Sequence, residues 1–212
     1  MEITWYGQSC FRLRDRGCTV VTDPYSPEIG LKLPRLTANI VTISHQHADH
    51  NNASAVKGGP FVVAGPGEYE VGGVFVIGVG LYHDAKNGTE LGKNTAYLIE
   101  IDDMIVCHLG DLGHIPNQEQ IEQLNSVDIL LVPVGGKSTL TYARAAEVVG
   151  LLEPSIVIPM HYKVPGLVAP LDTATRFLKE MAVETPEKLD ALTITKSGLP
   201  EQTRVVLLEP KQ

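Results

Sequence analysis

The sequence contains little cysteine, and its cysteines follow no pattern that would support a fold. Three occur among 212 residues, and Cys10, Cys18 and Cys107 form no Cys-x-x-Cys pair. An odd number of isolated thiols cannot all be bridged, which predicts reduced, mostly buried side chains rather than a disulfide framework. We therefore expect a cytoplasmic protein.

Long apolar runs, flexible linkers and low-complexity tracts are also missing. No segment approaches the roughly 18 consecutive apolar residues of a membrane-spanning helix. Residues 1–6 lack the basic and apolar pattern of a targeting peptide. With 43% hydrophobic residues, the chain can still bury one good core. These features predict a soluble protein with no membrane partner, folded as a single domain over residues 1–212.

Positive charge is scarce. The chain has 17 lysines and arginines against 25 aspartates and glutamates, which gives a net charge of −8. An acidic surface repels a polyanion, and the chain has no room for an added arm that grips RNA or DNA. We therefore expect no nucleic-acid partner.

Histidine, by contrast, is concentrated in one motif. Three of the seven histidines lie in an H-x-H-x-D-H sequence at positions 45–50, directly after an apolar, β-branched segment that predicts a buried strand. Imidazoles and a carboxylate at this spacing indicate a metal site. In an extended backbone, alternate side chains share one side. His45, His47 and Asp49 would then converge, and His50 would serve a second metal.

This motif resembles the signature of the metallo-β-lactamase-fold hydrolases. It reads Ile43-Ser44-His45-Gln46-His47-Ala48-Asp49-His50, and later markers of the family follow in order. These markers are Tyr82-His83-Asp84, Leu109-Gly110-Asp111-Leu112-Gly113-His114 and Pro159-Met160-His161-Tyr162. The resemblance covers essentially the whole chain. Within the superfamily, the chain is most similar to the small branch that contains L-ascorbate-6-phosphate lactonase.

The resemblance implies a fold and a set of metal ligands. The fold is α/β, a four-layer αββα sandwich of two mixed β-sheets flanked by helices. The cofactors are two divalent metal ions, Zn2+ first, with Mn2+ or Fe2+ as alternatives. One ion would be bound by His45, His47 and His83, the second by Asp49, His50 and His161, and both by a bridging Asp111.

This ligand set predicts hydrolysis. Three imidazoles on one ion leave a position open for water, as catalytic zinc requires. A water shared by two divalent ions loses its proton near neutral pH, and the bridging hydroxide can attack an acyl carbon or a phosphorus atom. We therefore expect a metal-dependent hydrolase that cleaves an ester-type bond, in a lactone or a phosphoester, of a small anionic substrate.

Two alternatives belong to other functional classes. One is a non-hydrolytic metal-binding or redox protein on the same fold, and the other is a nuclease. Redox proteins of this fold generally replace a first-motif histidine with a carboxylate, whereas His45, His47 and His50 are all histidine. The negative charge argues against the nuclease. The oligomeric state, including a homo-oligomer, stays open.

Further residues are candidates for supporting roles. We class Asp49, Asp111 and His114 as candidate catalytic residues, although Asp111 could instead cap the next helix. His114 would donate a proton to the leaving group, or else be a capping or surface residue. Asp23 resembles the family aspartate that accepts a hydrogen bond from a metal-binding imidazole, and the alternative is a turn aspartate before proline.

Other polar residues near strand ends have weaker claims. Lys137, Tyr162 and Lys163 could recognise an anionic substrate or be solvated loop residues. His108 lies within a predicted strand, which favours a hydrogen-bonded structural role. A phosphate loop around Lys137 is excluded, because its first glycine would fall on Leu131.

The apolar pattern predicts the elements of the sandwich. We expect a helix from residue 117 with Ile121 and Leu124 buried, and a helix at 173–181 capped by Asp172. The full set is strands at 3–14, 18–22, 38–44, 60–64, 73–79, 95–101, 104–109, 128–134, 155–159, 191–196 and 204–208, with helices from 117, at 141–152 and at 173–181.

Overall fold

The computed structural model describes residues 1–15 and 17–212. The strands are β1 Glu2–Trp5, β2 Phe11–Arg14, β3 Thr19–Thr22, β4 Leu36–Thr37, β5 Ile40–Thr42, β6 Val56–Lys57, β7 Phe61–Val63, β8 Gly67–Val71, β9 Val74–Tyr82, β10 Lys93–Ile101, β11 Met104–His108, β12 Ile129–Pro133, β13 Ile156–Met160, β14 Glu187–Leu189, β15 Leu192–Thr193 and β16 Arg204–Leu208. The α-helices of the described residues are α1 Gln118–Gln123, α2 Tyr142–Leu152 and α3 Thr175–Glu180. None of these helices has the length and apolar character that crossing a membrane requires.

Two mixed sheets form the framework. The first has the strand order β15-β1-β2-β3-β5-β7, and the second has the order β14-β16-β13-β12-β11-β10-β9-β8. Antiparallel hairpins lie beside parallel pairs in both sheets, for example β3 with β5 and β12 with β13. Buried side chains of both sheets form one continuous hydrophobic core. The predicted α/β fold of two mixed sheets flanked by helices is confirmed.

The central strands of the second sheet are apolar along their whole length. All five residues of β12 and all five of β13 are buried. The cause is that parallel strands in such a sheet are covered on both faces. On one of these faces lies α2, which buries Ala145, Val148 and Val149 at helical spacing.

The prediction of a single strand over residues 3–14 is wrong. Residues 3–14 form the antiparallel pair β1 and β2, in which Trp5 lies opposite Phe11. The chain reverses at Gly7 and Gln8, which have φ of 95° and 52°. Glycine adopts such a conformation at little cost, which is the physical reason that the turn can form here. This turn places Gln8 at the edge of the sandwich where the loops described below meet.

The start of the third helix also differs from the prediction. It begins at Thr175, and no side chain caps its N-terminus. Asp172 cannot cap the helix because its backbone lies in a separate loop. There its N–H donates to the carbonyl of Gly135 at 2.9 Å, and its carbonyl accepts the N–H of Lys163 at 2.9 Å.

Other predicted elements are confirmed with small shifts at their ends. The hairpin between β10 and β11 turns at Asp102 and Asp103, whose φ values of 56° and 60° are those of a tight two-residue turn. At α1 the N-cap is Asn117, whose side chain and that of Gln120 form a capping box. Leu124 is buried there as predicted, whereas Ile121 is only half-buried.

Loops from both sheets meet at one edge of the sandwich. The histidine-rich motif follows β5, His83 follows β9, Asp111 follows β11 and His161 follows β13. Backbone hydrogen bonds join these loops. The N–H of His161 donates to the carbonyl of Gln8 at 3.0 Å, for example. This edge is therefore built from distant parts of the chain.

Candidate metal centre

The structure brings all seven predicted metal ligands together at this edge. Three groups of three residues have ligand atoms within 4.8 Å of one another; one of them, Asp23, His45 and His50, contains the supporting Asp23, and the other two consist of predicted ligands. The first donor group consists of His45, His47 and His83. The second donor group consists of Asp49, His50 and His161.

Asp111 lies between the two donor groups. Its Oδ2 is 3.3 Å from Nε2 of His83 in the first group. The same oxygen is 3.3 Å from Nε2 of His50 and 3.2 Å from Nε2 of His161 in the second. A carboxylate in this position can reach ions held by either group. The alternative role of Asp111 as a helix cap is not found, because the cap of α1 is Asn117.

The grouping of the motif residues differs from the one that an extended backbone predicts. Asp49 lies with His50 rather than with His45 and His47. The cause is a turn, in which the N–H groups of His50 and Asn51 donate to the carbonyl of His47 at 2.9 Å and 3.1 Å. Side chains alternate only where the chain is extended, so the turn moves Asp49 to the second group.

Asp23 holds the start of the motif and the second donor group. Its Oδ1 accepts the N–H of Ser44 at 2.7 Å, and its Oδ2 accepts the Ser44 hydroxyl at 2.5 Å. The same Oδ2 lies 2.9 Å from Nδ1 of His50, which leaves Nε2 of that ring for a metal. Burial opposes ionisation of Asp23, but the bond to His50 and nearby imidazoles outweigh it and lower its pKa.

The first donor group is held mainly by its near neighbours and by backbone. Nδ1 of His83 lies 3.1 Å from the carbonyl of Ser138, and Nδ1 of His45 lies 2.9 Å from the Ser44 hydroxyl. Nε2 of His45 is 3.0 Å from Nδ1 of His47. Because His47 is exposed, this group is the one that opens to solvent.

Gln8 contacts the second donor group, a role that the sequence did not reveal. Its Nε2 donates to Oδ2 of Asp49 at 2.8 Å, and its carbonyl accepts the N–H of His161. The side chain is buried, with 1% of the residue exposed. A single glutamine in an apolar segment carries no metal-site pattern, so only the β1–β2 reversal shows its position.

Asn94 is a second residue that the sequence did not reveal. Its Oδ1 accepts the N–H of Asp111 at 2.9 Å, and its Nδ2 donates to the carbonyl of Leu109 at 2.9 Å. Both ends of the amide therefore hold the loop that presents Asp111. A Cβ on Gly110 would lie 2.4 Å from the same Oδ1, which explains the glycine there.

Gly113 allows the Asp111 loop to lie directly on the His83 segment. A Cβ at this position would be 2.2 Å from the carbonyl oxygen of His83. The N–H of Gly113 also donates to the carbonyl of Tyr82 at 3.1 Å. Glycine at positions 110 and 113 thus permits the close backbone approach that this loop requires.

Burial and mutual attraction set the protonation of the site. Burial, with repulsion from His50, lowers the pKa of His45 to about 3. His45 is therefore neutral, which is the form that binds metal. Burial opposes charge on both His50 and Asp111, but their attraction, together with the other neighbouring charges, raises the pKa of His50 and lowers that of Asp111.

The side chains of this site fit divalent metal. Nε2 of His50 and Oδ1 of Asp111 are buried and have no hydrogen-bond partner among the described residues. Leaving such atoms unpaired is costly, and a metal would satisfy both. Imidazole and carboxylate ligands suit zinc, manganese and iron.

His114 faces backbone groups rather than the donor groups. Its Nε2 accepts the N–H of Tyr82 at 3.3 Å, and its Nδ1 lies 2.9 Å from the carbonyl of Ile115. A proton donated to a leaving group would have to come from one of these two positions. Its catalytic role stays a prediction.

The other polar residues predicted near the site have structural contacts. The Lys163 ammonium donates to the carbonyls of Leu167 and Ala169, which holds its own loop and leaves it unsuited to bind substrate. Tyr162 is buried against Trp5, with ring centroids 5.1 Å apart. His108 is buried, with Nε2 2.8 Å from the carbonyl of Ser9, as expected of a structural histidine.

Comparisons with known proteins agree with this geometry. A protein-family model described as Beta-lactamase superfamily domain matches residues 2–161. A UPF0173 protein of Pyrococcus abyssi is 31% identical over 187 residues, which cover 78% of this chain and 85% of that protein. A UPF0173 metal-dependent hydrolase of Carboxydothermus hydrogenoformans is 26% identical over 198 residues, which cover 80% and 88%.

A solved structure resembles the whole chain. It is a candidate zinc-dependent hydrolase of the metallo-β-lactamase superfamily from Thermotoga maritima, with a TM-score of 0.82 and 39% identity. The match covers 98% of this chain and 97% of that one. This chain therefore belongs to the metallo-β-lactamase superfamily, as the motif predicts. The narrower resemblance to the ascorbate-phosphate lactonase branch stays a prediction.

Proposed function

We propose that this chain is a hydrolase that binds two divalent ions and cleaves an ester-type bond, in a lactone or a phosphoester, of a small anionic substrate. The observation that carries the proposal is the position of Asp111. Its Oδ2 lies within 3.3 Å of imidazole nitrogens from both donor groups. Relatives described as metal-dependent hydrolases support the same class, and the zinc-dependent description of the Thermotoga maritima protein favours zinc.

Under this proposal the two donor groups have different tasks. His45, His47 and His83 would hold one ion through three imidazoles, on the side where His47 is exposed to solvent and substrate. The second group and Asp111 hold the other ion in a buried position. When bound, the two ions activate water as a nucleophile and stabilise negative charge on the attacked oxygen.

The protein's own contribution is to fix the ligands and to exclude bulk water. Asp23 orients His50, Gln8 holds Asp49, and Asn94 holds the Asp111 loop. Because the ligands on this side are largely buried, electrostatic interactions within the site are stronger than in water. Asp49 and Asp111 adjoin the reacting centre. His114, proposed as the donor of a proton to the leaving group, would have to release its contact with the backbone of Tyr82 or Ile115 to do so.

The proposal extends to the whole chain. The continuous hydrophobic core supports one domain over residues 1–212. The net charge of −8 supports a small substrate over a nucleic acid. We also propose that the enzyme is cytoplasmic.

Metal content and a substrate panel test the proposed function together. Protein purified without chelator should contain close to two ions per chain by elemental analysis. Protein reloaded with zinc, manganese or iron should then turn over a lactone or a phosphoester in a panel that also includes thioesters. Metal content near zero after supplementation, or no turnover with any of the three metals, would contradict the proposal.

A further inference from the structure

A cavity of about 410 Å³ borders the first donor group. It is lined by His45 and His47, by residues 64–66 between β7 and β8, and by residues 91–93 before and at the start of β10. Its volume is in the range of small-molecule sites, roughly 300–1,000 Å³. A substrate bound to the metals from the open side would extend into this cavity.

The start of β10 serves the cavity and the metal centre at once. Lys93 and Thr95 line the cavity, whereas Asn94 between them is buried and bonds to Asp111. Alternate side chains of a strand point to opposite faces, which is why one short segment can do both.

The backbone of this segment is tied to two parts of the chain that carry the first donor group, the His83 segment and the residue before His45. The carbonyl of Gly92 accepts the N–H of His83 at 3.0 Å, and the N–H of Thr95 donates to the carbonyl of Ser44 at 2.9 Å. The backbone on either side of Lys93 is therefore fixed relative to His83 and to the start of the histidine motif.

The cavity has the opposite charge sign from the chain as a whole. The chain carries a net charge of −8, yet the lining residues include one lysine and no carboxylate. Lys93 is exposed and forms no ion pair with any carboxylate of residues 1–15 and 17–212. The nearby Glu90 is already bonded to Lys86 at 2.6 Å.

The rest of the lining is largely apolar. Ile43, Ala64, Pro66 and Leu91 contribute hydrocarbon surface around the single ammonium. A ligand that complements this cavity has an apolar body and one compact oxyanion. Neither lysine that the sequence indicated meets these conditions, because Lys163 binds its own loop and Lys137 does not line the cavity.

We propose that Lys93 binds a carboxylate or phosphate of the substrate that is separate from the bond being cleaved, while the apolar lining receives the body of the molecule. The proposal rests on the proposed function and narrows its substrate class to amphipathic esters or lactones that carry a second, anionic group. Lys93 is then a determinant of specificity rather than of the chemical step.

Binding of benzoate and benzamide to the metal-loaded protein tests this without turnover. The probes share size and differ in charge, so calorimetry should show tighter binding of benzoate. Lys93→Met should weaken benzoate about tenfold and leave benzamide unchanged. Lys93→Arg should keep the benzoate affinity because it keeps the charge. Lys179→Met, which makes the same charge change on α3, should alter neither affinity.

Kinetics separate this proposal from the hydrolase itself. For an ester that carries a carboxylate, Lys93→Met should raise KM about tenfold with little change in kcat, and the neutral amide analogue should be unaffected. If no ester is hydrolysed but benzoate still binds through Lys93, the hydrolase fails and the Lys93 site stands. Equal benzoate affinity in wild type and Lys93→Met, or no benzoate binding at all, overturns the Lys93 site.

Discussion

The first donor group faces a cavity and is held largely by backbone, whereas the second is buried and braced by side chains from elsewhere in the chain. In the first, His83 is oriented by the carbonyl of Ser138, and His47 is exposed. In the second, His50 is wholly buried and bonded to Asp23, and Asp49 is bonded to Gln8.

One donor group is therefore accessible to solvent, and the other has its side chains held in fixed positions. Under the proposed function, an exposed imidazole would allow substrate and solvent to reach the ion of the first group, and it would leave that ligand less constrained. The buried Asp23 carboxylate and Gln8 amide fix the His50 ring and the Asp49 carboxylate of the second group, and burial largely closes this group to solvent. Substitutions of the bracing side chains should therefore affect the two groups unequally.

The largest effect is expected where the groups meet. Asp111→Asn keeps the shape of the side chain and removes the charge that both groups share. We expect both ions to be lost or much weakened, and kcat to fall by about 10³-fold or more. Elemental analysis and steady-state kinetics measure this, with Asp190→Asn, the same change at an exposed carboxylate elsewhere, as the control. A variant that keeps both ions and full activity would refute the bridging position.

A smaller and selective effect is expected from Asp23→Asn. The second-group ion should bind about 10–100-fold more weakly, while the first-group ion is retained. Competition with a chromophoric chelator resolves the two affinities. Ser138→Ala is the matched test of the first group, and it should change neither affinity because His83 uses the backbone carbonyl. Equal weakening of both ions by Asp23→Asn would remove the distinction between the groups.

Gln8→Met should have a weaker effect in the same direction. It removes one hydrogen bond to Asp49 and keeps the backbone bond to His161, so the second-group affinity should fall about 3–10-fold. The chelator competition applies again. A change confined to the affinity of the first-group ion would contradict the prediction that Gln8 supports the second donor group.

The smallest expected effect is on the pH dependence of stability, through the buried structural residue His108. Burial lowers the pKa of His108, so the folded protein keeps this ring neutral while the unfolded chain binds a proton below about pH 6.5. Acid therefore favours the unfolded state, and stability is lost as the pH falls through that value. In urea unfolding of metal-free protein, His108→Leu should lose less stability than wild type between about pH 7 and pH 5. An equal loss in both would show that His108 does not contribute.

The sequence predicts the ligands better than it predicts what holds them. Histidines and aspartates in a dense motif are chemically distinctive, so the set from His45 to His161 could be named and is found at one edge. The strands were predictable because apolar, β-branched runs such as β12 and β13 are buried over their whole length. The arrangement in two mixed sheets flanked by helices was also predicted, whereas the order of the strands within each sheet was not.

The remaining features depend on tertiary contacts that leave no local pattern. Gln8 and Asn94 are ordinary polar residues until the fold sets them against Asp49 and Asp111. The reversal at Gly7 was hidden because apolar residues on both sides of it read as one strand. The turn after His47 likewise moved Asp49 between groups, which spacing alone could not show.

The hydrogen bond between the N–H of His161 and the carbonyl of Gln8 has a consequence for how the protein is made. It joins residues far apart in the sequence, one in the turn between β1 and β2 and the other after β13, and the second donor group is incomplete until it forms. Contacts of such long sequence separation form late and slowly, because a large loop must close first. Under the proposed function, high-affinity metal uptake would therefore be a readout of finished folding, because a newly synthesised chain would complete this donor group only after its two sheets had docked.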